Sequence, residues 1–439
     1  MSADEIGAST VKRVTRVLIP FLMICYLVSF IDRVNVGFAA FQMNKDIGLT
    51  PAVFGLGGGL FFISYFLFEV PSNLAMKKFG ARKWIARIML SWGIISACTA
   101  LVTGPNSFYV VRFLLGAAEA GFFPGVILYL TQWFPAATRG RIVSLFYVAV
   151  PLSSFVGSPI SAALLQMDGI GGLYGWQWLF VIEAAPAVLL AFFTYFWLPD
   201  SPNDAKWLSA EQKQWLSNTL EAERQRSGAG AAPVREGRTW KIIFHPQVLL
   251  LSLVYAGTSA ASNGLSLWQP QIIKSFGLST IQTGWLNAIP FAIASVMMIW
   301  WGGVSDRRRE RVWSTALPLL LSACALGAGM LTKQLAPAML FMVLTLVGTY
   351  AFKGPFWALS TERLGPAAAA AGLAQINAVG NLAGFVGTYL IGVIKEQTGS
   401  FALALTPILA LQVIGFILLI VSNKRNATPA PETRTQTSH

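Results

Sequence analysis

Among the ionisable side chains inside apolar runs of the sequence, five are candidates for chemistry, Asp32 and Arg33, Arg112 and Glu119, and Lys353, while Glu69 and Glu183 read as packing residues. At the centre of a membrane-spanning helix such a residue costs about 2.5–3.5 kcal/mol on insertion scales, so its default reading is service to a polar cavity. Asp32 and Arg33 are adjacent, and on a helix their side chains diverge by about 100° and cannot simply neutralise each other. Arg112 and Glu119 are seven residues apart, two turns, and share one helix face. With both runs lining one cavity, two cations and two carboxylates converge there. Arginine grips a carboxylate bidentately and never deprotonates, whereas a partly desolvated carboxyl takes up and releases a proton. The set suits the joint handling of an organic anion and protons. Lys353 precedes Gly354-Pro355, a pair that interrupts helix hydrogen bonding and exposes backbone. Gly121-Phe-Phe-Pro124-Gly125 stands at the corresponding place in an earlier run, and paired interruptions point to a binding site. Lys353, opposite Arg33, is placed to hold a second carboxylate. Tyr65, Asn263, Trp268, Gln269 and Asn377 are the polar residues available to complete such a pocket.

The elements that position these groups follow from hydropathy. The chain is 439 residues, 55% hydrophobic and only 12% charged, about half the charge of a soluble domain. Windows of about 20 apolar residues divide it into two sets of six spans. The first set covers 14–40, 52–76, 83–103, 106–131, 139–166 and 174–198; the second covers 245–270, 280–304, 312–332, 336–361, 367–394 and 400–422. This predicts an all-α membrane protein of twelve helices in two halves, 1–198 and 245–422. A linker, 199–244, joins them, with an amphipathic helix near 206–226 and a Gly228-Ala229-Gly230 stretch, and 423–439 is a tail. The first run lacks an Ala-x-Ala cleavage pattern and reads as a retained helix.

The net charge is +13, a value that in a soluble protein would suggest nucleic acid. Of the 32 Lys and Arg, Lys45, Lys274, Lys333 and Lys395 fall in loops on one side, and Arg33, Arg112 and Lys353 fall within spans. The remaining 25 lie on the side of the termini and linker. By the positive-inside rule that side is cytoplasmic, and the basic surplus is a topology signal rather than a nucleic-acid footprint. Cys25, Cys98 and Cys324 are far apart and the only histidines are His245 and His439, so no disulfide framework or membrane metal centre is expected. The chain has no GxxxxGK[ST] nucleotide loop, which excludes an ATP-driven pump in this chain. No cofactor and no enzymatic activity are expected.

The loop after span 2, Asn73-Leu-Ala-Met-Lys77-Lys78-Phe-Gly80-Ala-Arg82-Lys83, and the one after span 8, Gly302-Gly-Val-Ser-Asp306-Arg307-Arg308-Arg309-Glu310-Arg311, occupy equivalent places. Both resemble the GxLaDRxGRK loop signature of the major facilitator superfamily. The first has Lys77 in place of the aspartate, and the second has Arg309 in place of a glycine. Asp306 is therefore the better candidate for a charge lock between helix ends, with Arg307, Arg82 and Arg139 as the associated basic residues.

Further segments narrow the resemblance. They are Phe30-Ile-Asp32-Arg33-Val-Asn35, Val70-Pro71-Ser72-Asn73, Arg112-Phe-Leu-Leu-Gly116-Ala-Ala-Glu119, Trp133-Phe134-Pro135, Arg139-Gly140-Arg141, Gly354-Pro355-Phe356-Trp357 and Ile376-Asn377-Ala-Val-Gly380-Asn381. Together they resemble the anion:cation symporter family, which includes proton-coupled carriers of galactonate, glucarate, tartrate, phthalate and hydroxyphenylacetate. The resemblance runs from about residue 14 to 422 at the accuracy of span boundaries. It implies a substrate-carboxylate role for Arg33, proton-carrying roles for Asp32 and Glu119, and pairing of Arg112 with the span 4 acid. Tyr65 and Asn377 stand where that family's sugar-acid carriers contact substrate. Val148-Ala149-Val150-Pro151 is apolar where those carriers place a polar contact, which favours a flatter dicarboxylate or aromatic acid such as phthalate or tartrate.

The expected function is proton-driven import of an organic carboxylate through the inner membrane by a monomer. The alternatives are a sugar-acid or monocarboxylate symporter of the same family, a drug:proton antiporter and a transport-fold sensor. The antiporters' GxxxGPxxGG pattern fails at Val156-Gly157-Ser158-Pro159-Ile160-Ser161, and the linker is too short for a signalling domain.

Overall fold

Long apolar sequences with few charges have one way to satisfy their backbone in lipid, the continuous helix, and this chain is helical almost throughout. The computed structural model describes residues 3–226 and 244–427. The Gly228–Gly230 stretch of the linker and most of the predicted tail lie outside the described residues. Twelve helices are long and apolar enough to cross a membrane: Glu5–Asp46, Pro51–Phe79, Ala81–Leu101, Pro105–Leu130, Ala136–Met167, Gly175–Trp197, Pro246–Lys274, Thr280–Arg308, Arg311–Leu331, Leu335–Leu364, Ala371–Thr398 and Phe401–Asn423. These are spans 1 to 12 below. Several extend beyond the apolar windows. Span 1 is the extreme at 42 residues, because the helix that carries Lys12, Arg13 and Arg16 simply continues outside the hydrocarbon zone.

Local signals set the helix starts. Thr50 Oγ1 accepts from Val53 N at 3.3 Å just before Pro51. Ser279 and Gln282 exchange side chain–backbone bonds at 2.9 and 3.2 Å ahead of span 8, a capping box. The linker forms the expected helix, Ala210–Arg226, and it is docked rather than free. Leu216 is fully buried, Trp207 stacks on Trp133 at 5.6 Å, and Glu223 accepts from Ala136 N at 2.9 Å.

Four spans are interrupted, two of them at the sequence pairs noted above and one, span 12, at Leu405. Span 4 breaks after Glu119, where Gly121 takes φ 87°, left-handed geometry that other residues resist. Ser72 lies against the bare Cα there, leaving no room for a side chain. Span 5 breaks at Val148 and span 10 at Phe352, immediately before Lys353.

The first six and last six helices meet closely at the end of the bundle opposite the termini. There Gly55 of span 2 faces Gly392 of span 11 so tightly that a Cβ would come within 3.2 Å of the Gly392 Cα. Asn287 Nδ2 of span 8 donates to Ser158 Oγ of span 5 at 2.8 Å. Glu396 of span 11 accepts from Ala52 N at 2.8 Å, capping span 2.

Candidate functional site

Arg33 and Glu119 form the centre. Arg33 Nε donates to Glu119 Oε1 at 2.7 Å, and Ser29 Oγ donates to the same oxygen. Glu119 is fully buried, whereas the Arg33 side chain keeps 15% of its surface. Its guanidinium sits among the rings of Phe30, Tyr65 and Phe61 at 4.6, 4.9 and 5.1 Å. Arg112 faces the same Phe61 ring at 5.3 Å, so two guanidiniums share one aromatic neighbour. Arg112 is 2% exposed and its Nε has no partner.

The ion pair is therefore Arg33–Glu119 across spans 1 and 4, not the Arg112–Glu119 pair within span 4 that the family resemblance implied. Two turns separate Arg112 and Glu119 by about 10 Å along the axis, whereas span 1 brings Arg33 level with the acid at the helix break. Asp32 is also displaced from the expected constellation. It turns to span 3, where Trp92 Nε1 and Ser96 Oγ donate to its two oxygens at 3.0 and 2.9 Å. The divergence of neighbouring side chains on a helix is the cause: once Arg33 faces span 4, Asp32 faces away.

Lys353 is 4% exposed. Its Nζ lies 4.7 Å from the Tyr350 ring, 5.3 Å from the Tyr147 ring across the two sets of spans, and 3.5 Å from Ser262 Oγ. Among the described residues no carboxylate forms an ion pair with it or with Arg112. One turn of span 7 connects the two cationic regions. Ser262 meets Lys353, while Asn263 and Ser266 line a small cleft together with Arg33, Arg112, Phe30 and Phe61. Three cations stand here, and among the described residues only Arg33 has an ion-paired carboxylate, Glu119, a surplus that an anion with two carboxylates would offset.

The remaining predicted site residues divide. Tyr65 is at the site, over Arg33, and Asn263 is in the cleft. Asn377 is half-buried on span 11, one turn before Gly380, which packs against Tyr255. Trp268 is buried in packing: its Nε1 donates to Thr388 O at 3.1 Å and its ring meets Phe54 at 5.1 Å. Gln269 is fully buried with neither amide atom partnered, and it does not line the cleft. Of the aromatic surround, Phe30 and Tyr350 are signalled in sequence by standing three residues before Arg33 and Lys353, whereas Phe61 and Tyr147 come from other spans and carry no such signal.

Three of the four basic-loop residues form ion pairs, two of them with the linker. Arg82 reaches Asp200 at 3.3 Å, and Arg139 reaches Glu223 of the linker helix at 3.7 Å. Asp306 pairs with Arg311 Nη1 at 2.8 Å, and Arg311 Nε continues to Glu362 at 3.1 Å. Arg307 is exposed. Arg309, standing in the glycine position of the loop signature, adopts φ 55°, so the loop keeps its left-handed turn without the glycine.

A bundle of twelve apolar helices around a buried, cation-rich cleft defines a membrane transporter. The chain belongs to the Major Facilitator Superfamily, whose sequence model matches residues 22–388. A candidate tartrate transporter of Agrobacterium vitis is 47% identical over 99% of this chain and 96% of its own length. A quinolone resistance transporter of Acinetobacter baumannii is 46% identical over 94% of each chain. Among solved structures, a bacterial homologue of the human lysosomal transporter Spinster, inward-facing and occupied, superposes with a TM-score of 0.75 at 17% identity. It covers 94% of this chain and 98% of its own, and the likeness is one of fold. The protein is a multi-pass transporter of the inner membrane, not an enzyme, and its relatives accord with the anion:cation symporter resemblance.

Proposed function

We propose that this protein imports an organic dicarboxylate together with protons, by alternating access between two halves, 1–198 and 245–422. The termini and linker lie in the cytoplasm, as the distribution of Lys and Arg supports, and the monomer is the working unit. The observation that carries the reading is the charge imbalance: Arg33, Arg112 and Lys353 converge on one turn of span 7, and among the described residues Glu119 is the only carboxylate ion-paired to any of the three. A substrate carboxylate takes Glu119's place on Arg33, and the displaced, buried acid accepts a proton because an unpaired carboxylate there is costly. The second substrate carboxylate reaches Lys353. The loaded cavity then carries one net positive charge instead of two, and can switch orientation. The aromatic cage favours a compact or flat acid, and the 47% identical relative described as a candidate tartrate transporter points the same way.

A second reading, proton-driven export of a quinolone, draws on the 46% identical relative; a quinolone is itself an aromatic carboxylate and would engage Arg33 through that group. It leaves Lys353 without a role. The test is a thermal-shift and calorimetric screen of about thirty carboxylic acids and quinolones on the purified protein. Tartrate-like or phthalate-like dicarboxylates are expected to bind best, with the preference lost in Lys353→Ala. Equal binding of mono- and dicarboxylates by the unaltered protein would remove the dicarboxylate reading.

A further inference from the structure

The cycle above gives no role to Glu183 of span 6, a third buried carboxyl in the first six helices. It is 5% exposed. Ser161 Oγ of span 5 donates to its Oε1 at 2.6 Å, and its Oε2 has no partner. Asn35 of span 1 faces the same carboxyl; it is fully buried and neither of its amide atoms has a hydrogen-bond partner. Three residues earlier, on the same face of span 1, stands the buried Asp32.

The groups around this pair are few. Span 1 presents Asp32 and Asn35, span 3 presents Trp92 and Ser96, and span 5 presents Ser161. Arg112 and Glu119 of span 4 are also buried, and neither is hydrogen-bonded to Asp32, whose partners are Trp92 and Ser96. Among the described residues, no lysine or arginine forms an ion pair with Asp32 or Glu183. Two ionised carboxylates without an ion-paired cation in a dry helix bundle would cost several kcal/mol each.

We infer that Glu183 is held protonated at rest, and that it is a second proton-carrying group of the transport cycle. The unpartnered Oε2 and the unpartnered Asn35 Oδ1 are the donor and acceptor this requires, with the carboxyl O–H directed at the amide oxygen. Release of that proton leaves a single negative charge on Glu183, and its return neutralises the group. One turn along span 5 from Ser161, Ser158 makes the hydrogen bond to Asn287 of span 8, so a change of charge at Glu183 acts beside the contact between the two sets of helices. The inference rests on the proton-symport reading for its role in transport, but not for the protonation itself.

Infrared difference spectroscopy of the full chain in lipid, at neutral pH and without substrate, reads that protonation directly. A protonated-carboxyl band is expected in the unaltered protein and in Glu119→Gln. It should be absent in Glu183→Gln, an isosteric change that can keep the Ser161 bond, and retained in Glu183→Asp. In proteoliposomes, Glu183→Gln is expected to take up about one proton fewer per labelled tartrate while tartrate counterflow persists. A band that survives Glu183→Gln, or an unchanged proton count, would overturn the inference. So would loss of band and transport in Glu183→Asp, which would make the site structural. Should the unaltered protein fail to carry tartrate, the substrate proposal falls and the infrared result still decides the protonation of Glu183.

Discussion

The first six helices bury Asp32, Arg112, Glu119 and Glu183 and half-bury Arg33, whereas among the described residues the last six bury one charge, Lys353. The first set thus contains acids that can exchange protons beside cations that can hold an anion. The second contains a lone cation among aromatic and hydroxyl groups. The contrast assigns coupling to the first half and discrimination between substrates to the second, with span 7 as the shared wall.

The comparison can be broken at four points. The largest effect is expected from Arg33→Ala, which removes the anion's anchor and leaves Glu119 buried without a partner. Losing one member of a buried pair costs about 3–5 kcal/mol, two to three orders of magnitude in rate or affinity, so initial uptake of labelled tartrate into proteoliposomes should fall to background. Glu119→Gln comes next and separates coupling from binding. Outside acidification should drive accumulation in the unaltered protein and leave the variant flat across pH, a loss of about tenfold or more, while counterflow continues. Lys353→Ala should raise the KM for a dicarboxylate by about 10- to 100-fold, the value of a charge-assisted hydrogen bond, and leave monocarboxylates nearly unaffected. An equal effect on both would move discrimination out of the second half. The smallest effect is expected from Asn287→Ala, which removes one bond between the halves worth about 1 kcal/mol. Spin-label distances across spans 2 and 11 should then show a population open at that end raised by about fivefold.

Most of the fold was legible, because lipid leaves so few options. Twelve apolar windows give twelve helices, and the interruptions at Gly121 and before Lys353 were visible as Gly and Pro pairs. Helix ends were less legible: hydropathy marks where lipid ends and not where the helix ends, as the extension of span 1 back to Glu5 shows. Within the site, the buried charges were found from rarity alone, but their partners were not. Whether Asp32 or Arg33 faces the cavity depends on the rotation of span 1, which packing against spans 5, 6 and 7 decides. Trp268 and Gln269 share their turn of span 7 with Ser266, yet lie in packing. Glu183 looked like a packing residue in sequence, and only its uncompensated burial beside Asn35 marks it as more.

The central claim, an anion carried inward with protons, is tested most directly by proteoliposomes loaded with a pH-sensitive dye. Addition of external tartrate at symmetric pH should acidify the lumen in proportion to labelled tartrate taken up, and Glu119→Gln should abolish the acidification. Tartrate entry without acidification, or lumenal proton movement elicited by a quinolone and not by any dicarboxylate, would contradict it.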